Sequence, residues 1–362
     1  MAKLLMISGD RSLAEGKRGA FYNTLEEFHK YWGRIDIICP RTTNYKLQTT
    51  NLFGNVFIHP SPWPLWLQPL WILKKGKRIY KEQKFNLMTA HEYPPFYNGI
   101  GARLLWNKIR VPYVLEIHHV PGLPRAANFK EKFYKNITKS FIRADSIKAK
   151  AIRVVNKKQV PDFLIKAGVF KDKIVYIPSF YIDLDIFRPL NLPKDYDLIF
   201  VGRLAENKGI NLFLKAVKKL NAKTIIVGDG PLKENLKLQG NIRLHGWAKD
   251  SAEIAGLLNR SKIIIMSSYN EGGPRVILEA MACGVSVLAT PVGIVPDIIK
   301  DGESGRIIEW DAGDIAKKAA ELLNDEDKRR NFGLNGLNIV QQFEKKGAIK
   351  NYAQRLQDFI TL

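Results

Sequence analysis

Short apolar runs return along the whole chain, and nearly every one leads into a loop or a helix-length stretch. The first series comprises residues 4–8, 34–39, 55–59, 87–89, 113–118, 152–155 and 174–177, with an amphipathic helix expected over residues 19–32. A second series follows at residues 198–201, 223–227, 242–245, 263–266 and 286–289. Strand–helix alternation is the pattern of a parallel, doubly wound sheet. Between the two series, residues 178–189 are turn-rich and bounded by Pro178 and Pro189, which suits a domain boundary. The expectation is an α/β fold of two Rossmann-like, doubly wound domains facing a cleft, residues 1–185 and 186–344. Ligands of such sheets bind outside the carboxyl ends of the strands.

Charge divides the chain unevenly. Residues 1–180 hold 31 Lys+Arg against 12 Asp+Glu, so +19 of the total +22 lies in the first half. Such asymmetry points to an anionic partner for that half. Trp63, Trp66 and Trp71 fall within nine residues and are followed by Lys74, Lys75, Lys77 and Arg78. Indole beside ammonium favours a membrane–water interface with anionic lipid. Pro62, Pro64 and Pro69 argue against a long helix there, so the tryptophans are expected on a membrane-facing loop. Phe129, Phe133, Ile137 and Phe141 recur every four residues among Lys130, Lys132, Lys135 and Lys139. That stripe reads as the core-facing side of a helix with solvated lysines. No run approaches the 18 apolar residues of a membrane span, and residues 1–9 read as a first strand rather than a signal peptide. Cys39 and Cys283 are the only cysteines, so neither a disulfide framework nor a cysteine metal site is expected and the cytoplasm is the default compartment.

The chemistry concentrates after the run 263–266. Ser267-Ser268-Tyr269-Asn270 leads to Glu271-Gly272-Gly273-Pro274-Arg275-Val276-Ile277-Leu278-Glu279-Ala280-Met281-Ala282-Cys283-Gly284. Pro274 suits the first position of a helix, and the N–H groups of Gly272 and Gly273 with the positive helix end make an anion site. Two carboxylates beside that site fit a ligand with hydroxyls as well as phosphate, as a nucleotide sugar has. The string resembles the E-G-x-x-x-x-x-x-E-A-M-A-C-G hallmark of the retaining glycosyltransferases of family four, which have the GT-B fold. Gly202-Arg203-Leu204-Ala205-Glu206-Asn207-Lys208-Gly209 is similar to that family's G-R-L-x-x-x-K-G.

The resemblance implies roles for particular residues. Arg203 and Lys208 would hold the donor diphosphate in place of a metal ion, so no metal or other cofactor is expected. Glu279 would accept hydrogen bonds from the ribose, and Glu271, with Gly272 and Gly273, would meet the donor sugar. His118 would face that sugar from across the cleft, Gly19 would lie near the phosphates, and the segment 345–362, with Tyr352, would return to the first domain. Arg18 and His91, with Glu92, would border the acceptor. Asp250 and Glu253 read as a helix-capping box, and Val227-Gly228-Asp229-Gly230-Pro231 as a structural turn. The implied activity is retaining, metal-independent hexosyl transfer from a UDP- or GDP-linked sugar. The +19 charge of the first half and its tryptophan segment, not the resemblance, point to a lipid or lipid-linked saccharide as acceptor, and so to an enzyme peripheral on the cytoplasmic membrane face, acting in glycolipid or cell-surface polysaccharide synthesis. A soluble acceptor is the alternative.

Other classes fit worse. A nucleic-acid-binding protein would explain the positive charge but not Glu271 and Glu279. Neither Gly99-Ile100-Gly101 nor Gly228-Asp229-Gly230 completes the G-x-G-x-x-G of an NAD-dependent oxidoreductase. Asp183-Leu184-Asp185 has the D-x-D form of a metal site but lies in the connector, where it is similar to the family's D-L-x-x-F.

Overall fold

The computed structural model describes residues 1–42, 50–178, 180–238 and 240–361; Ser179 of the connector and Leu362 of the terminal segment lie outside them. Eight strands form the first sheet: β1 (Lys3–Ile7), β2 (Arg34–Cys39), β3 (Thr50–Leu52), β4 (Val56–Pro60), β5 (Leu87–His91), β6 (Tyr113–Ile117), β7 (Ala151–Val154) and β8 (Ile174–Tyr176). Six form the second: β9 (Tyr196–Val201), β10 (Thr224–Val227), β11 (Ile242–Gly246), β12 (Ser261–Met266), β13 (Ser286–Ala289) and β14 (Arg306–Ile307). All pairings are parallel except β3 with β4. The strands are apolar on both faces because both faces are covered by helices. The α/β fold with two doubly wound sheets is as the alternation predicts.

The strand order is β3-β4-β2-β1-β5-β6-β7-β8 in the first sheet and β11-β10-β9-β12-β13-β14 in the second. The winding reverses between β1 and β5 and again between β9 and β12. Those two gaps are where open α/β sheets leave a crevice.

Helices α1 (Ala20–Phe28), α2 (Gln68–Gln83), α3 (Tyr97–Ile109), α4 (Phe129–Ser146) and α5 (Gln159–Lys166) belong to the first sheet. The second carries α6 (Ile210–Val217), α7 (Ser251–Asn259), α8 (Arg275–Ala282), α9 (Val295–Ile298), α10 (Ala312–Leu323) and α11 (Glu326–Val340). The last helix, α12 (Lys345–Thr361), packs Ile349, Tyr352, Ala353 and Leu356 against Leu25, Phe28 and Trp32 of the first sheet's α1 side. Helices α2 to α5 cover the opposite face around Ile72, Leu105, Ile142 and Leu164. Helices α2 and α4 follow the parallel strands β4 and β6 and so begin at the carboxyl edge of their sheet, and Asn128, the cap residue of α4, donates to Glu206 of the second sheet's side at 2.7 Å.

Two sequence expectations fail here, each for a packing reason. The tryptophan segment is a loop only in part: Trp63 lies in a bend and Trp66 in a short 3-10 turn, but Trp71 is in α2, where Pro69 sits in the first turn and costs no hydrogen bond. Trp71 packs on the core and meets Trp63 edge-on at 5.6 Å, leaving Trp66, 66% exposed, as the free indole. The Phe stripe is not core-facing: Phe129 is 82% and Phe133 53% exposed, and Phe141 is exposed beside Phe96. Helix α4 instead buries Thr138, Ile142, Asp145 and Ser146, because its later turns pack on α3 and the sheet.

Candidate active site

The two reversals of winding face each other across one cavity of about 460 Å³. From the first sheet it is lined by Asp10, Phe21, His91 and His118. From the second come Asn207, Asn270, Glu271, Gly272, Gly273 and Arg275, and from the last helix Tyr352.

The second sheet's side is built by the loop after β12. Apolar Ile263–Met266 makes the buried strand, and the polar residues that follow bend it away. Helix α8 begins at Arg275 with Pro274 as its cap residue, one position later than the sequence indicates. Gly272 lies against the His118 backbone carbonyl, where an added Cβ would collide, and Gly273 packs in the same way on Phe180. Glycine is required at 272 because the loop touches backbone on the opposite side of the cleft, while at 273 it makes room for the buried Phe180 ring of the connector.

Lys208 makes an ion pair with Glu271, and the Ser268 hydroxyl donates to the same carboxylate oxygen at 3.0 Å. The Tyr269 N–H donates to Asn207 O at 2.8 Å, which straps the two loops together. A second cavity of about 220 Å³ continues behind, lined by Gly202, Lys208, Ser268, Glu271, Arg275 and Glu279. Burial pushes the Glu279 carboxyl up to about 7, opposed by the nearby Arg275 charge. Thus Lys208, Glu271 and Glu279, distant in sequence, share one space. Arg203 is exposed and lines neither cavity. Arg275, which the sequence reading passed over, lines both cavities.

On the first sheet's side, His118 follows β6 and its ring lies 4.9 Å from that of His91. Behind them Glu116 is fully buried, 2.8 Å from His91 Nε2 and 2.8 Å from Arg153 Nη1. Burial alone would raise Glu116, but the Arg153 charge and the His91 contact hold it well below the usual carboxylate range. His118 is lowered to about 3, first by burial and then by the charges of His91 and Arg153. His91, Glu116 and His118 bring ligand-type atoms within 4.8 Å of one another. They do not suit a metal ion, because the Arg153 guanidinium already places a fixed positive charge on Glu116 and 3.3 Å from His118.

Three other expected residues stand elsewhere. Gly19 is the cap residue of α1, one position before the cavity-lining Ala20. Arg18 is exposed over the Tyr22 ring, 5.2 Å from its centre, and does not line the cavity. Glu92 is buried under α3 next to Asp145, away from the cleft, because its strand position points opposite to His91. Asp250 accepts from Glu253 N at 2.9 Å and is a helix cap, as its spacing implies. Trp63, Trp66 and Trp71 lie outside the cavity lining.

Residues 183–338 match the family model of glycosyl transferases group 1. An uncharacterized glycosyltransferase of Methanocaldococcus jannaschii is 30% identical over 289 residues, 71% of either chain. The chain belongs to the group 1 glycosyltransferases. This glycosyltransferase is also 27% identical over 229 residues, 59% of each chain, to a Campylobacter jejuni N-acetyl-D-galactosaminyltransferase named for a PP-undecaprenol-linked saccharide. Sucrose-phosphate synthase from Thermosynechococcus elongatus superposes with a TM-score of 0.85 at 19% identity, over 100% of both chains. Anabaena HepE in complex with UDP-glucose gives 0.73 at 17% identity, over 99% of this chain and 100% of that one. Both have the same two-domain GT-B architecture.

Proposed function

We propose that this glycosyltransferase moves a hexose from a UDP- or GDP-linked sugar, with retention and without a metal ion, to a lipid or lipid-linked saccharide at an anionic membrane surface. The HepE complex and the shared space of Lys208, Glu271 and Glu279 support the nucleotide-sugar half of that reading. Lys208 would leave Glu271 for the diphosphate, freeing the carboxylate for donor-sugar hydroxyls, and Glu279 would take the ribose. Cationic side chains and the α8 N-terminus would stabilise the charge on the departing diphosphate. In a same-face mechanism the leaving oxygen helps to deprotonate the acceptor, so no side-chain base is required.

The observation that carries the acceptor half is α4. Its N-terminal turns hold Phe129 and Phe133 out to solvent beside Lys130 and Lys132, at the cleft edge of the sheet. Exposed phenyl rings among lysines suit a lipid surface better than a soluble sugar. Trp66, exposed at the start of α2, adds an interfacial indole. The Campylobacter jejuni relative, named for an undecaprenol-linked substrate, supports the same acceptor class. No described helix is long and apolar enough to cross a membrane, so attachment would be peripheral, placed on the cytoplasmic face to meet nucleotide sugar.

Labelled UDP- and GDP-sugars offered with membrane lipid extract or with free saccharides test both halves together. Label entering the organic phase supports the proposal. Label entering only water-soluble sugars replaces it with a soluble acceptor.

A further inference from the structure

The tautomer of His118 follows from what lies behind it. Arg153 is 1% exposed and held at two points: its Nε donates to Ile177 O at 3.0 Å and its Nη1 to Glu116 Oε1 at 2.8 Å. The same Nη1 lies 3.3 Å from His118 Nε2. A guanidinium has donors only and does not lose its proton in proteins. The contact is therefore satisfied only if Nε2 presents a lone pair, which puts the single proton of a neutral ring on Nδ1.

Glu116 keeps Arg153 in place and is itself held by the last helix. The Tyr352 hydroxyl donates to Glu116 Oε1 at 2.6 Å, while Phe28 stacks on the Tyr352 ring at 4.8 Å. Arg153 lies over that ring, 3.8 Å from its centre. The guanidinium is thus gripped by a carboxylate, a carbonyl and an aromatic face, a combination that fixes its plane.

We propose that Arg153, Glu116 and Tyr352 are positioning residues that hold His118 as the neutral Nδ1–H tautomer, so that it meets substrate as a hydrogen-bond donor and not as a base. The idea rests on the sugar-transfer reading for its consequence, but not for the tautomer itself. His91 on β5, Glu116 on β6, Arg153 on β7, Arg275 on α8 and Tyr352 on α12 are the charged or titratable groups around the ring. Burial, with His91 and the Arg153 and Arg275 guanidinium groups around the ring, opposes a second proton, in line with the lowered His118 value of about 3.

Nitrogen-15 spectra of the full chain, labelled at histidine and without substrate, test this directly. The resonance lost in His118→Asn identifies the ring. It should show a protonated Nδ1 and an unprotonated Nε2, unchanged from about pH 5 to 8, where an ordinary histidine titrates. A protonated Nε2, or titration in that interval, overturns the proposal. In transfer assays, Arg153→Lys and Tyr352→Phe should lower kcat by about tenfold, the equivalent of one charge-assisted hydrogen bond, with KM for the nucleotide sugar within about twofold. Wild-type kcat in both folded variants would show that the network does not position His118. The expected tautomer in a protein that transfers no sugar would leave the network standing and remove the function.

Discussion

The Tyr352 hydroxyl and Glu116 Oε1 lie 2.6 Å apart although 236 positions separate the residues. The contact joins the last helix to the strand that carries His118, so the end of the chain is part of the active-site wall. Leu356, fully buried one turn on, anchors that helix. Leu356→Ala should cost about 2–5 kcal/mol of stability through the cavity it leaves. Urea unfolding measures it, and a loss below about 1 kcal/mol would mean that α12 docks loosely.

Nucleotide binding should depend on pH through Glu279. Its carboxyl sits at about 7 in the free protein because it is buried, with Arg275 opposing the shift. Ribose hydroxyls donate to the ionised form, so binding is expected to weaken as pH falls through that value. Affinity for the preferred free nucleotide should drop about tenfold between pH 8 and 6. Calorimetry on wild type and Glu279→Gln decides it, since the variant should bind weakly and without the pH slope.

Glu92 and Asp145 form a buried carboxyl pair beneath α3. Burial, then the Asp145 charge, raises Glu92 well above its ordinary value; burial raises Asp145 to about 6 against the pull of Arg103. The folded state therefore holds protons that the unfolded chain has released. Their stabilising contribution is complete below about pH 4, near the unfolded carboxyl values, and is lost as pH rises through the raised folded values. Glu92→Gln removes one charge and offers Asp145 a donor, so it should raise stability at pH 8 by about 1 kcal/mol or more. Thermal unfolding of the two proteins at pH 5 and 8 checks this. A destabilised variant at pH 8 would show that Glu92 is ionised and paired.

Lys208→Ala should remove the cation nearest Glu271 and lose about 2–4 kcal/mol of transition-state stabilisation while the protein stays folded. Arg203, exposed and outside both cavity linings, should cost less than Lys208 when replaced by Ala. Steady-state kinetics in EDTA measure both variants and the metal-free proposal together. Activity abolished by EDTA and restored by Mg²⁺ would remove that proposal.

Membrane attachment should separate into ionic and apolar parts. Flotation with anionic vesicles should capture the protein at low salt and lose part of it at high salt, as the lysine contribution is screened. Phe129→Ser with Phe133→Ser, and separately Trp66→Ser, should weaken the salt-insensitive part without changing nucleotide affinity. Trp71→Ser should instead destabilise the fold, because that indole packs on the core. Capture of both variants equal to that of wild type would move the lipid contact elsewhere.

The sequence alone was enough for the parallel sheets, because buried strands must be continuously apolar and each needs a helix to return. It was also enough to put Glu271 and Glu279 forward, as carboxylates beside glycine N–H groups at a strand end, and Lys208 through its place in a string that resembles the family's G-R-L-x-x-x-K-G. What it did not contain was the direction in which each helix faces. Phe129 and Phe133 have the spacing of a core stripe, yet only the later turns of α4 are buried and the two rings meet solvent. Trp71 has the neighbours of an interfacial residue, yet a proline-started helix turns it inward. Arg153, Glu116 and Tyr352 carry no local signal, because nothing within a few residues of any of them requires a partner. Only folding, which buries a charge and must then surround it with opposite charge and donors, assembles them behind His118.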